Sequence, residues 1–324
     1  MRRRKRKRFD LRVFFATDLH GSEICFRKAL AAPGFYEATL LIVGGDLSGK
    51  AMIPTLPAAD GRVAEFLGKV EHLTTSAEEQ RFARHVADAG YYVWAVADPA
   101  QLDDEEERAR AFRYAVEDRL AHWVELADER LPGAGLRCYM APGNDDEDFV
   151  DEVLATSGSI VNGEGQVLEV ADGLRLASCG WSNPTPWETH REEPEEALMA
   201  RMDRLVPPDD GGDGLLLNFH VPPHGTNLDV CAALDDDHKV VMRSGVPLMT
   251  AAGSTSTRHF IETRQPVVSL HGHIHESKGA ETIGRTPCLN PGSTYGDGML
   301  AGCLIDLVEQ DGRWTVEQFS FTSG

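Results

Sequence analysis

Cysteines at metal-binding or redox spacing are missing from this chain. The six present, Cys25, Cys138, Cys179, Cys231, Cys288 and Cys303, are scattered with no Cys-x-x-Cys among them. That excludes a thiolate zinc cluster and a disulfide framework, and it points to reduced, mostly buried thiols in a cytoplasmic protein. Long apolar runs are missing too, so no stretch is suited to crossing a membrane as a helix. The segment FDLRVFFATD is interrupted by Asp10, Arg12 and Asp18 and offers no signal-peptide core. Positive charge is scarce: 32 Lys and Arg stand against 52 Asp and Glu, for a net −20. Seven of those cations fall together at Arg2–Arg8. An acidic body repels nucleic acid and anionic membranes, which leaves a basic arm, residues 1–9, as the only electrostatic handle for a nucleic-acid partner. The competing reading of that arm is a solvated, disordered tail that folds back on the acidic surface. Internal repeats are absent, and low complexity is confined to the arm and to PPDDGGDG (207–214), an exposed loop.

What is present reads as alternating strands and helices. LRVFFAT (11–17) and TLLIVGG (39–45) are short apolar runs ending in turn residues, with the helix-like SEICFRKALAA between them, a βαβ opening. Residues 77–90 and 103–130 look helical, the second starting with the acidic run DDEEE that suits a helix N-terminus. LRCYMA (136–141), LRLASCG (174–180), LLLNF (215–219) and PVVSL (266–270) follow as strands, with a helix at STSTRHFIETR. The long stretch between Asp46 and Asn144 exceeds what one crossover needs, so a helical insertion is expected at about 50–130. Placed at a strand's carboxyl end, it would shape substrate access or form a dimer interface.

The polar clusters that end these strands carry the chemistry. LHGHIHES (270–277) sets His271, His273 and His275 at alternate positions around Gly272. In an extended segment the three could share a face, with glycine allowing a tight bend. TDLHG (17–21), GGDLSGK (44–50), PGNDD (142–146) and NFHVPPHG (218–225) supply Asp18, His20, Asp46, Asn144 and His220. Ligands collect at the carboxyl ends of strands in α/β sheets. So many oxygen and nitrogen donors without cysteine exceed the needs of one zinc and argue for two ions of mixed ligation. Two metals suggest hydrolysis of phosphate esters.

In these blocks the sequence resembles the calcineurin-like metallophosphoesterases, whose pattern runs D-x-H, G-D, G-N-H-D/E, a histidine, then G-H-x-H. The matches are Asp18 and His20; Gly45 and Asp46; Gly143, Asn144 and Asp146; His220; and Gly272, His273 and His275. TDLHGSEICFRKAL, SNPTPWETHRE and HGHIHESKG are further similar to the Icc-related subgroup. The resemblance implies an α/β fold of two facing mixed β-sheets in a sandwich flanked by helices, forming one domain over 10–324. It implies one divalent ion on Asp18, His20, Asp46 and His275 and a second on Asp46, Asn144, His220 and His273, with Asp46 as the bridge. Manganese, iron, zinc or nickel would suit such a set. A hydroxide between the ions would attack a small phosphoester or nucleotide substrate. A metal-binding interaction scaffold on the same fold is the alternative.

One departure stands out: Asp145 occupies the place of the family's histidine, so the usual proton donor to the leaving group is absent. This favours phosphodiesters with good leaving groups over alkyl monoesters. His224 could partly substitute if Pro222 and Pro223 turn its loop toward the site. His271 is expected to orient a ligand. Lys50 and Arg258 are candidates to meet a phosphate, and residues 182–196, with Trp187 and His190, to form a rim over the pocket. A homo-oligomer is compatible with all of this.

Overall fold

The computed structural model describes residues 9–133 and 135–324. The expected arm at Arg2–Arg8 lies outside the described residues. Two six-stranded mixed sheets face each other. The first runs, in spatial order, Arg313–Ser323, Ala301–Gln310, Leu11–Ala16, Leu40–Gly44, Arg137–Ala141 and Ile160–Asn162, its last four strands parallel. The second runs Gly279–Ile283, Thr286–Asn290, Val268–Leu270, Leu215–Phe219, Leu174–Cys179 and Val167–Ala171, with its four inner strands parallel.

Side-chain alternation along each strand creates three apolar layers. Val13, Phe15, Leu40 and Ile42 point inward and meet Leu174, Leu176, Leu216 and Leu270 of the facing sheet. Phe14, Ala16, Leu41 and Val43 point outward beneath helices Glu23–Tyr36 and Glu105–Arg130. On the far side Ala177, Leu215, Leu217 and Phe219 pack under helices Glu195–Leu205 and Thr255–Arg264. Strands covered on both faces lose polar alternation and read as continuous apolar runs. The expected sandwich with outer helices is the observed architecture.

The stretch expected to be a helical insertion is only partly helical. Ser76–Asp88 and Glu105–Arg130 are helices, but Met52–Ala58, Gly61–Phe66, Lys69–Leu73 and Tyr92–Ala95 form a separate four-stranded sheet. The reason lies in its turns. Leu67 and Gly68, at φ 50° and 73°, form a two-residue left-handed corner that reverses the chain into a hairpin. Ala64, Phe66, Leu73, Phe82 and Val86 give this unit a small core of its own. Among the described residues no helix is long and apolar enough to cross a membrane. All six cysteines are unpaired, and five of them are buried.

Candidate metal centre

Every parallel strand of the sandwich core that carries a motif ends at the same edge. Asp18 and His20 follow Leu11–Ala16, Asp46 follows Leu40–Gly44, Asn144 follows Arg137–Ala141, His220 follows Leu215–Phe219, and His273 and His275 follow Val268–Leu270. Candidate ligand atoms of Asp18, His20, Asp46 and His275 lie within 4.8 Å of one another. Nε2 of His20 and Nε2 of His275 are 3.0 Å apart. His275 Nε2 stands 3.4 Å from Asp18 Oδ1, and His20 Nε2 stands 3.5 Å from Asp46 Oδ2. The other Asp46 oxygen, Oδ1, turns instead to His220 Nε2 at 3.3 Å. On that second side His273 Nδ1 meets Asn144 Oδ1 at 2.7 Å, and the His220 and His273 rings are 5.4 Å apart.

The donor atoms are prepared for a ligand. Nδ1 of His20 faces the Ser48 carbonyl at 3.2 Å, and Nδ1 of His220 faces the Gly44 carbonyl at 3.3 Å. A proton held at each Nδ1 leaves the Nε2 lone pair directed into the cluster. Oδ2 of Asp18 is buried without a hydrogen-bond partner, an arrangement that costs about 1–3 kcal/mol unless something fills the gap. Asp18, His20, Asp46 and His273 also hold left-handed backbones, with φ of 53°, 41°, 49° and 67°. Each such conformation costs a residue with a Cβ on the order of 1 kcal/mol. An orphaned donor atom and backbone strain concentrated in one place fit the divalent ions that the donor set suits.

Burial pushes His20 down to about 3 and His273 down to about 4, so both imidazoles are neutral, as ligands must be. Burial also disfavours charge on His220, but Asp46 and Asp18 overcome it and raise the group to about 10.

The glycine inside the histidine cluster acts through space rather than through bending. Gly272 has no left-handed φ, but a Cβ there would overlap Asp18 Oδ2 and Thr17 Oγ1. Gly45, at φ 91°, combines both needs, because a Cβ there would strike the His220 ring. The three alternate histidines do not share a face. The strand ends at Leu270, and His271 turns to the carbonyls of Phe219 and Val221, at 2.7 and 3.2 Å. It braces the turn that delivers His220.

Asp145 borders the cluster, its Oδ2 3.9 Å from His20 Nδ1 and 2.7 Å from Lys50 Nζ. Burial and the charge of Asp46 raise its carboxyl to about 6 despite Lys50. His224 does not join: its ring faces Asp229 at 3.6 Å, and its backbone N–H donates to Ser254 O. Two prolines did turn the chain, but Gly225 and Thr226 N–H groups donate to Asp229 and fold the loop back on itself. Arg258 is likewise spent on the His224 carbonyl and Glu262. Of the two candidate cations only Lys50 reaches the site.

Three supporting residues had no readable role in the sequence. The Asp146 carboxylate accepts from the N–H groups of Leu47, Ser48 and Gly143 and from Ser48 Oγ, tying the Asp46 loop to the Asn144 loop. Arg191, 2% exposed, donates to the Asp146 and Glu147 carbonyls and pairs with Asp151. Tyr295 lies over His20 with ring centroids 4.7 Å apart. Asp146 was legible only as part of the G-N-x-D spacing. Nothing around Arg191 or Tyr295 announces partners so distant in sequence. Asp146→Asn should lower metal affinity by about 10–100-fold while the chain still folds, because an amide cannot accept from all four donors. Titration of the metal-free variant against wild type checks this, and equal affinities would remove Asp146 from the site's support.

The motifs meet at one edge of a two-sheet sandwich, in the chain order that the sequence resemblance implies. No family model matches the sequence. A 153-residue stretch, 46% of this chain, is 29% identical to the uncharacterized protein MJ1162 of Methanocaldococcus jannaschii, and the match spans 61% of that relative. TT1561 of Thermus thermophilus is similar in fold, with TM-score 0.52 and 13% identity over 97% of this chain and 98% of the other. A dimetal phosphatase of Danio rerio aligns at TM-score 0.46 and 10% identity over 98% of this chain and 99% of its own.

Proposed function

We propose that this chain is a two-metal phosphoesterase that prefers phosphodiesters to monoesters. The observation that carries the reading is Asp46, whose two oxygens face two different histidine groups, His20 on one side and His220 on the other. In this reading Asp18, His20, Asp46 and His275 hold one ion, and Asp46, Asn144, His220 and His273 hold the other. Manganese, iron, zinc or nickel suits such mixed oxygen and nitrogen donors. Bound there, a pair of divalent ions supplies the charge that activates water and neutralises the phosphoryl oxygens. The chain's own residues do the rest. Lys50 brings a cation to the mouth of the cluster, and the Asp145 carboxylate beside it disfavours a dianionic monoester more than a monoanionic diester. The six unpaired cysteines accord with a cytoplasmic setting.

Metal analysis of the purified protein, paired with turnover of a chromogenic aryl phosphodiester, tests the reading. Two ions per chain and metal-dependent hydrolysis are expected. Two ions with no turnover across a panel of esters would favour the interaction scaffold instead.

A further inference from the structure

Beside the cluster lies a cavity of about 420 Å³ lined in part by Lys50 and Asp145. Its walls come from three separate parts of the chain. Phe112 and Val116 belong to the insertion helix Glu105–Arg130, Phe149 follows the Asn144 loop, and Trp187 stands on the 182–196 rim. Although 59% exposed, the Trp187 ring is braced by His238, whose ring centroid is 4.8 Å away and whose Nε2 meets the Pro186 carbonyl at 3.0 Å. The apolar surface therefore shares one cavity with Lys50 and Asp145, which border the cluster.

Negative charge predominates around it. Lys50 is matched by Asp145 at 2.7 Å, whereas Glu147 and Glu188 also line the cavity and meet no cation among the described residues. A ligand that reaches past Lys50 thus meets aromatic and aliphatic walls under a net negative potential.

Resting on the phosphodiesterase reading, we infer that this cavity is the leaving-group subsite, and that it takes an aromatic group bearing no negative charge. Flat apolar rings gain from the Phe112, Phe149 and Trp187 surfaces by stacking or edge contact. A second anionic group on the leaving alcohol would lie near the half-buried Glu147 and the exposed Glu188, where like charges repel it. The insertion then acts as a selectivity wall that adds contacts without touching the metal donors.

The probes are the methyl phosphodiesters of 4-(hydroxymethyl)phenol and 4-(carboxymethyl)phenol, whose phenols are similar in acidity, so that their intrinsic reactivities are alike. The neutral ester should show a kcat/KM at least about tenfold higher. Phe112→Ala should lower kcat/KM for the neutral ester by about tenfold, mainly through KM, with bound metal unchanged. Replacing Glu147 and Glu188 together by Gln should narrow the preference. Equal handling of both esters by wild type, or a KM unmoved by Phe112→Ala, overturns the assignment. Failure of the phosphodiesterase reading would show differently, as metal-loaded protein that hydrolyses neither ester. In that event calorimetric binding of the matching methyl arylphosphonates decides: tighter binding of the neutral analogue, weakened in Phe112→Ala, supports the subsite, and equal binding overturns it.

Discussion

Asp46→Ala is expected to purify without either ion and to hydrolyse an aryl phosphodiester at least about 10³-fold more slowly than wild type. Asp46 is 2% exposed and presents a separate oxygen to each histidine group, so its loss opens both halves of the centre at once. His20→Ala makes the contrast. It removes a donor from one half and leaves Asp46, Asn144, His220 and His273 in place, so at least one ion should stay measurable. Asp46→Asn separates charge from shape, because the amide fills the same volume and can still accept from the Asp145 N–H, now 3.1 Å from Oδ1. Metal content by elemental analysis, read beside turnover, checks all three variants. Both ions retained at normal rate in Asp46→Ala would refute the dinuclear assignment.

The second large effect is expected at Asp145. Wild type should cleave aryl diesters well and alkyl monoesters poorly, and Asp145→His should raise the rate on alkyl leaving groups by about 10²-fold. General acid catalysis contributes typically about 10²–10⁴-fold, and it matters most where the leaving oxygen is a strong base. The lower figure is appropriate because Lys50 loses its 2.7 Å partner in the variant and must find a new position. His224 does not offset the missing imidazole, since its ring is turned to Asp229. A pH signature accompanies the substitution. The Asp145 carboxyl, raised to about 6 by burial and by Asp46, is ionised above that pH and neutral below it. Discrimination against dianionic monoesters should therefore weaken as pH falls through about 6 in wild type, where Asp145 and the monoester's own second ionisation both lose charge, and should show a smaller step in Asp145→Asn, which keeps only the substrate's part. Rates for one aryl diester, one aryl monoester and one alkyl monoester, measured in wild type and both variants, decide the matter. A wild type that already prefers alkyl monoesters sinks this reading of position 145, as does a histidine variant with unchanged rates.

Local chemistry made much of this protein readable from its residues alone. Apolar runs such as LRVFFAT and LLLNF are long enough for a strand and too short for a buried helix, and each stops at the polar cluster that the sheet edge collects. Ligand identity was legible for the same reason, because imidazole, carboxylate and amide donors two or three residues apart at strand ends are a local pattern. The hairpins in residues 52–73 were missed although the corner at Leu67 and Gly68 is itself local, since the neighbouring helices dominated the periodicity. Contacts outside the motifs decided what remained. His271 leaves the cluster because the facing turn offers it two carbonyls. His224 is kept away because Asp229 captures its loop. Lys50 is selected over Arg258 because Asp145 lies next to one and Glu262 next to the other. The His271 and Lys50 contacts depend on which loops the two sheets bring together, and a linear order of residues carries no distance between such loops, whereas the Asp229 and Glu262 contacts are local choices among several partners that spacing alone does not rank. Composition and spacing determined which atoms could serve a metal or a phosphate; the packing of one sheet against the other decided which of them meet.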